Sequence, residues 1–322
     1  MPLDTYESIF NQFAETTSED WKNKIIKDLK GEVFDKLIWH TKEGIEVLPF
    51  YTKEDNEKYQ LHIPEKQTKS WFISERIIVN DIAESNKQAL LALQNGASVI
   101  NFNLQNNLIT ETDLKILLKD ILVDIAPVFF ENYKEENKSL LENYAKKSCV
   151  QIIKVQKQET IVDELVAALL ESINKEVTDL HIHFYIGQNY FFEIAKLRAF
   201  RWLWKQVCDL KNQPYHIFIQ CETSVDNFSK EYEYSNMLRN TTSAMSAILG
   251  GCDSLIINSH DTLSNATTFG KRIARNINHI LQHESYFNDS EVSGNDTAKG
   301  SYYIEYLTYQ LCKKSWEKFA KV

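Results

Sequence analysis

From about residue 70 the sequence settles into a rhythm of short apolar runs separated by amphipathic stretches, a rhythm few folds accommodate. The runs Trp71–Val79, Ser98–Leu104, Leu122–Phe130, Cys149–Val155, Leu180–Ile186, His216–Cys221 and Ser254–Asn258 read as strands. Helices fit between them over Ala83–Gln94, Glu111–Lys119, Thr160–Ile173, Phe191–Cys208, Tyr234–Ile248 and Phe269–His283. Strands that alternate with helices of this length build parallel βαβ units. Seven or eight such units suit a closed barrel better than an open sheet. No G-x-G-x-x-G follows the first strand, which argues against a dinucleotide-binding sheet. The expected architecture is α/β, a (β/α)8 TIM-type barrel over 66–322. A polar loop, Tyr286–Gly300, leads into its closing helix from Ser301, which ends with Trp316 and Phe319.

Residues 1–65 differ in character. Ser18-Glu-Asp-Trp21 reads as a cap entering a short helix, with Trp21, Ile25, Ile26 and Leu29 on one face and Gly31 as its stop. Leu37–Thr41, a Lys42-Glu-Gly44 turn and Ile45–Tyr51 then alternate like a hairpin. So short a segment cannot bury a core of its own. An arm that wraps a partner is expected.

Composition excludes several classes. Hydrophobic residues are 43% of 322, enough for a sizeable core, and the net charge of −9 disfavours a nucleic-acid partner. No apolar run approaches the roughly 18 residues of a membrane span, and the N-terminus shows no signal-peptide pattern. Cys149, Cys208, Cys221, Cys252 and Cys312 are scattered without a C-x-x-C pair, as reduced thiols would be. A cytoplasmic protein is expected.

Several segments resemble the methylmalonyl-CoA mutase family. Asp28-Leu-Lys-Gly31 and Glu43–Thr52 look like the family's N-terminal arm. Ile182-His-Phe-Tyr-Ile-Gly187 and Phe191–Trp204 resemble its strand and helix, and Glu222-Thr-Ser224 stands where the family has Gln-Thr-Ser. Arg272-Ile-Ala-Arg-Asn276, Glu284-Ser285 and Gly300–Thr308 follow in family order, so the likeness spans most of the chain. The resemblance implies a barrel threaded by acyl-CoA, with adenosylcobalamin held by a histidine of a separate C-terminal domain. It also offers two roles, a catalytic large subunit or a degenerate small one.

The family's catalytic groups do not map onto this sequence. The cobalt-ligating Asp-x-His-x-x-Gly has one near match, Asp179-Leu-His181, with Phe184 at the glycine. No cobalamin-binding domain, bound cofactor or metal is therefore expected on this chain. The Tyr-His pair of active members falls on Ile152 and Ile153, which donate no side-chain hydrogen bond. Such a donor is typically worth about 3–4 kcal/mol to a developing oxyanion. The family's Arg-Thr-His run is Phe218-Ile-Gln220. Since strand residues alternate, some of Phe102, Phe184, Ile217, Phe218, Ile219 and Ile257 must point inward, and an axis plugged by apolar side chains is expected.

Polar groups remain at the strand C-terminal ends, where barrel enzymes place chemistry: His183, Tyr185, Glu222, Thr223, Ser224, Asn258, Ser259, His260 and Asp261. They are either a vestigial ligand site or ordinary caps of loops and helices. His279 and His283 share a helix face, and Arg272 and Arg275 suit anchoring. The resemblance then implies a non-catalytic small subunit that forms a heterodimer with the catalytic large subunit interconverting methylmalonyl-CoA and succinyl-CoA. Adenosylcobalamin would sit in that partner, and self-association is the alternative when the partner is missing. The competing readings are an acyl-CoA-binding isomerase component using another chain's cobalamin, and an unrelated barrel hydrolase or lyase at the polar mouth. Small subunits of the family usually continue into a degenerate cobalamin-type domain beyond the barrel.

Overall fold

A computed structural model describes residues 16–322 apart from 60, 67–69, 145–151, 176–178, 286 and 288–295. Cys149, the start of its expected strand, and most of the loop expected over 286–300 lie outside the described residues. The chain divides into two compact units, Met1–Lys58 and Tyr59–Val322.

In the first unit, α1 (Ser18–Asp28) starts one residue earlier than expected, because Thr17 rather than Ser18 is its cap. Thr17 Oγ1 accepts from the Asp20 amide at 3.1 Å while Asp20 accepts from the Thr17 amide at 2.9 Å, a reciprocal pairing that satisfies two orphan donors. The expected hairpin is present as a short antiparallel pair, β1 (Trp39–His40) with β2 (Glu46–Val47). Gly44 turns between them at φ +68°, a conformation glycine adopts without strain. A helix over Lys53–Tyr59 follows, which the polar, unpatterned KEDNEKY does not announce.

The second unit carries seven parallel strands among the described residues: β3 (Phe72–Ile78), β4 (Val99–Asn103), β5 (Val128–Glu131), β6 (Ile153–Lys154), β7 (Leu180–Ile186), β8 (Ile217–Thr223) and β9 (Ser254–Ile256). Their order is β5-β4-β3-β9-β8-β7-β6. Apart from the edge pair β5 and β6, each strand therefore lies beside its neighbour in sequence, and the last pairs with the first, as in the cyclic order of a TIM-type barrel. Between the edge strands β5 and β6, Lys154 reaches Glu131 at 2.7 Å. Helices follow the strands, and side-chain caps from Asp81, Thr110, Thr160 and Thr267 start four of them.

Two boundaries depart from expectation, and one helix was not foreseen. The run Leu122–Phe130 becomes a strand only from Val128; Leu122 and Ile125 are exposed in a turn that ends before Pro127, which has no amide to give a ladder. The helix expected to His283 is α-helical over Thr268–His279 and widens to a π-turn over Ile280–Glu284. A helix over Lys138–Tyr144, too short for a clear period, was absent from the sequence pattern.

The registers decide which residues face the axis. Ile77, Phe102 and Phe130 are cross-strand partners and pack with Ala89, Ala92, Leu114 and Leu117 of the outer helices. Likewise Ile182 pairs with Ile219 and Leu180 with Ile217, and the Phe184 ring lies 5.1 Å from that of helical Phe200. Phe102, Phe184, Ile217 and Ile219 thus belong to the layer between sheet and helices, and Ile257 follows β9 on the parity of Leu255. Of the six residues offered as axial plugs only Phe218 points inward, against Phe72, Phe129 and His181. Beyond this aromatic cluster, Arg76, Asn101, Glu131, His183, Gln220 and Glu222 also turn inward.

Candidate site at the barrel axis

Arg76 stands at the centre. Its alternation on β3 turns it inward, and its guanidinium meets carboxylates from two other strands. Nε and Nη2 reach Glu131 at 3.0 and 3.2 Å, and Nη1 reaches Glu222 at 2.6 Å. Forked contacts of this kind fix position as well as charge. Glu131 also accepts from Lys154, and Glu222 accepts from the side-chain Nδ2 of Asn258 at 3.0 Å. On the far side of Glu222, His183 Nε2 lies 3.1 Å from its second oxygen, and Gln220 Nε2 lies 3.0 Å from His183 Nδ1. Two cations and two carboxylates thus form a chain across the axis that cancels its own charge.

The electrostatics follow from this pairing. Burial raises the Glu222 carboxyl, but the contacts with His183 and Arg76 outweigh it and hold the group well below the usual carboxylate range. Burial likewise opposes ionisation of Glu131, yet Arg76 and Lys154 keep it low. Full burial depresses His183 in spite of the adjacent Glu222, so its ring is neutral at physiological pH. Tyr185, paired with Glu222 across strands and half-buried, is raised by burial and by that same carboxylate. A carboxylate held this low is a poor proton acceptor, and every cation is already engaged. The arrangement locks more readily than it reacts.

The other candidate residues serve local structure. Thr223 Oγ1 accepts from the Asn258 amide at 3.0 Å, and Ser224 Oγ accepts from the Asp226 amide at 3.3 Å. Asp261 accepts from Ser259 and from both the amide and hydroxyl of Thr267, which caps helix Thr268–His279. His260 is buried between the rings of Tyr234 and Phe269. Gly270 lies so close that a Cβ there would collide with Ser259 Oγ and the Asp261 carboxylate. Gly270→Ala should therefore lower stability by about 1–3 kcal/mol, as overpacked sites do; an unchanged urea midpoint would contradict this role.

Neither family position for the Tyr-His pair contributes to the axis chemistry. Ile153 is buried on β6 beside Ile182, facing the helices, and Ile152 precedes it half-buried. The cobalamin signature fits no better. His181 sits within β7 and not on a loop, its ring stacked 5.1 Å from Phe218 and edge-on to Phe129. No cluster of three or more His, Cys, Asp or Glu able to hold a metal occurs among the described residues. No described helix is long and apolar enough to cross a membrane.

Arg76, Glu131, Lys154, Asn101 and Gln220 were missed by sequence reasoning. A charge or amide inside an apolar strand run was the available signal. Such a residue must find a partner when buried.

A sequence profile of the methylmalonyl-CoA mutase family, described as methylmalonyl-CoA mutase, matches residues 159–322. A methylmalonyl-CoA mutase small subunit of Porphyromonas gingivalis is 30% identical over 400 aligned positions, covering 98% of this chain and 64% of that protein. The chain belongs to the methylmalonyl-CoA mutase family. A methylmalonyl-CoA mutase of Rhizobium meliloti is 39% identical over 157 residues, 47% of this chain and 22% of that protein. A probable methylmalonyl-CoA mutase small subunit of Mycobacterium tuberculosis is 31% identical over 140 residues, 41% of this chain and 22% of that protein. The chain thus spans less than two thirds of the length of these relatives.

The family-like segments have visible structural work. Helix Tyr190–Lys211 buries Lys196 against Glu193 at 2.7 Å and Glu164 at 3.1 Å. Two residues on, Arg198 grips Asp296, Glu305 and Thr308, and Arg201 holds Asp253 at 2.7 Å. Glu305, from the Gly300–Thr308 segment, also accepts from the Gly300 amide at 3.0 Å. Together these segments build a buried ionic framework that ties helices to the barrel.

Proposed function

We propose that this chain is a non-catalytic barrel subunit that pairs with, and stabilises, a catalytic methylmalonyl-CoA mutase chain in the cytoplasm. Adenosylcobalamin, in this reading, is bound by the partner, which carries out the exchange between methylmalonyl-CoA and succinyl-CoA. One observation carries the reading: the axis, through which the family's acyl-CoA would run, is crossed by the chain Lys154–Glu131–Arg76–Glu222. Opening it would strand two buried carboxylates, at a cost of about 3–5 kcal/mol. The small-subunit relatives support the same assignment.

Mixing the chain with a catalytic mutase subunit at micromolar concentration and running a sizing column tests the pairing. A single peak containing both chains is expected. Two separate peaks would end the proposal.

A further inference from the structure

We infer that the barrel axis binds an ordered internal water that bridges Asn101 on β4 and Gln220 on β8. Four neighbouring strands, β4, β3, β9 and β8, turn Asn101, Ser74, Ser254 and Gln220 toward the axis, and all four side chains are buried. The two serine hydroxyls are hydrogen-bonded to each other. The two amides are not.

Gln220 is fixed by its neighbours. His183 is neutral and one of its nitrogens faces the Glu222 carboxylate, so the ring proton belongs on that nitrogen, Nε2. Nδ1 must then accept, and Gln220 Nε2, which only donates, supplies the bond. Gln220 Oε1 is left as a buried acceptor without a protein partner. Asn101 is fully buried with neither Oδ1 nor Nδ2 paired. Buried polar atoms in this state are rare, because their lost hydration is not recovered.

The guest must donate to Gln220 Oε1 and Asn101 Oδ1 and accept from Asn101 Nδ2. An anion meets only the last requirement and a cation only the first two. A charged guest would also find no counter-charge, since Arg76, Lys154, Glu131 and Glu222 are already paired with each other. An acyl thioester supplies acceptors alone. Water meets all three requirements and is the usual resident of polar interior sites. The inference stands independently of any pairing with a catalytic subunit.

A crystal structure of the chain at high resolution tests it directly, with oxygen-17 water relaxation dispersion in solution beside it. A solvent peak within about 3.2 Å of both Asn101 Nδ2 and Gln220 Oε1 is expected, the usual reach of a hydrogen bond. Asn101→Leu should lose one long-lived water from the relaxation signal and melt several degrees lower. A direct Asn101–Gln220 hydrogen bond, carbon packed against both amides with no peak between them, or a rise in melting temperature in Asn101→Leu would overturn it. If the leucine variant does not fold, the wild-type crystal and relaxation data still decide.

Discussion

Replacing Arg76 by methionine should destabilise the chain by about 3–5 kcal/mol, the usual penalty when one partner of a buried ion pair is removed. Methionine keeps much of the side-chain volume, so the loss reports charge and not a cavity. Glu131 and Glu222, whose side chains are only 1% and 5% exposed, would lose their shared counter-ion. Glu131 would retain Lys154, whereas Glu222 would keep only the side-chain Nδ2 of Asn258 and the neutral His183. The deficit should depend on pH with a definite sign. In the native chain Glu222 and Glu131 titrate below their unfolded value of about 4.3, so their contribution is complete above that pH and fades as pH falls through the folded values. Without Arg76, burial dominates, Glu222 rises, and protonation relieves the strain of an unpaired carboxylate. Urea unfolding should therefore show the largest deficit near pH 7–8 and a smaller one near pH 5. Adding Glu222→Gln to Arg76→Met should recover part of the loss, which a purely steric role for Arg76 would not permit.

A loss of similar size, about 3–5 kcal/mol, is expected for Arg198→Met. Arg198 is buried, and five donor contacts leave its guanidinium for Asp296, Glu305 and Thr308. Its removal would leave Glu305, completely buried, with the Gly300 amide as a remaining donor, and would release the segment around Asp296 from helix Tyr190–Lys211. Arg198→Lys should recover little, because an ammonium cannot present a planar fork to two carboxylates and a hydroxyl at once. Equilibrium unfolding of the two variants checks this. Stability within about 1 kcal/mol of the native chain for Arg198→Met would be too small for a broken buried pair.

The sequence exposed the strands well and the orientation of their faces poorly. Leu180-His-Ile-His-Phe-Tyr-Ile186 alternates apolar with polar, and the habit learned from half-solvated sheets sends the polar set outward. In a parallel barrel the outer face is covered by helices, so Leu180, Ile182, Phe184 and Ile186 belong there, and His181, His183 and Tyr185 turn to the axis. That inversion is why a plug built of Phe102, Phe184, Ile217, Ile219 and Ile257 was expected, whereas the axis holds an ionic chain beside a cluster of Phe72, Phe129 and Phe218. The partners themselves were illegible: Arg76 and Glu222 are 146 positions apart, and no local period connects them. Glu222 was found because it lies near the end of its strand, whereas His183, expected at a strand end, sits at the middle of β7. Arg76, Glu131 and Lys154 sit within or at the close of apolar runs, and only the closed sheet brings them together. For Thr223, Ser224 and Asp261 the propensity of small polar residues to cap loops was a sufficient guide.

Calorimetric titration of the isolated chain with methylmalonyl-CoA probes the sealed axis most directly. If the Lys154–Glu131–Arg76–Glu222 chain occupies the route an acyl thioester would take, no saturable heat should appear up to hundreds of micromolar ligand, about the range where weak binding still registers. A stoichiometric isotherm with micromolar affinity would contradict the account, because the ligand would have to enter an axis that the ionic chain crosses.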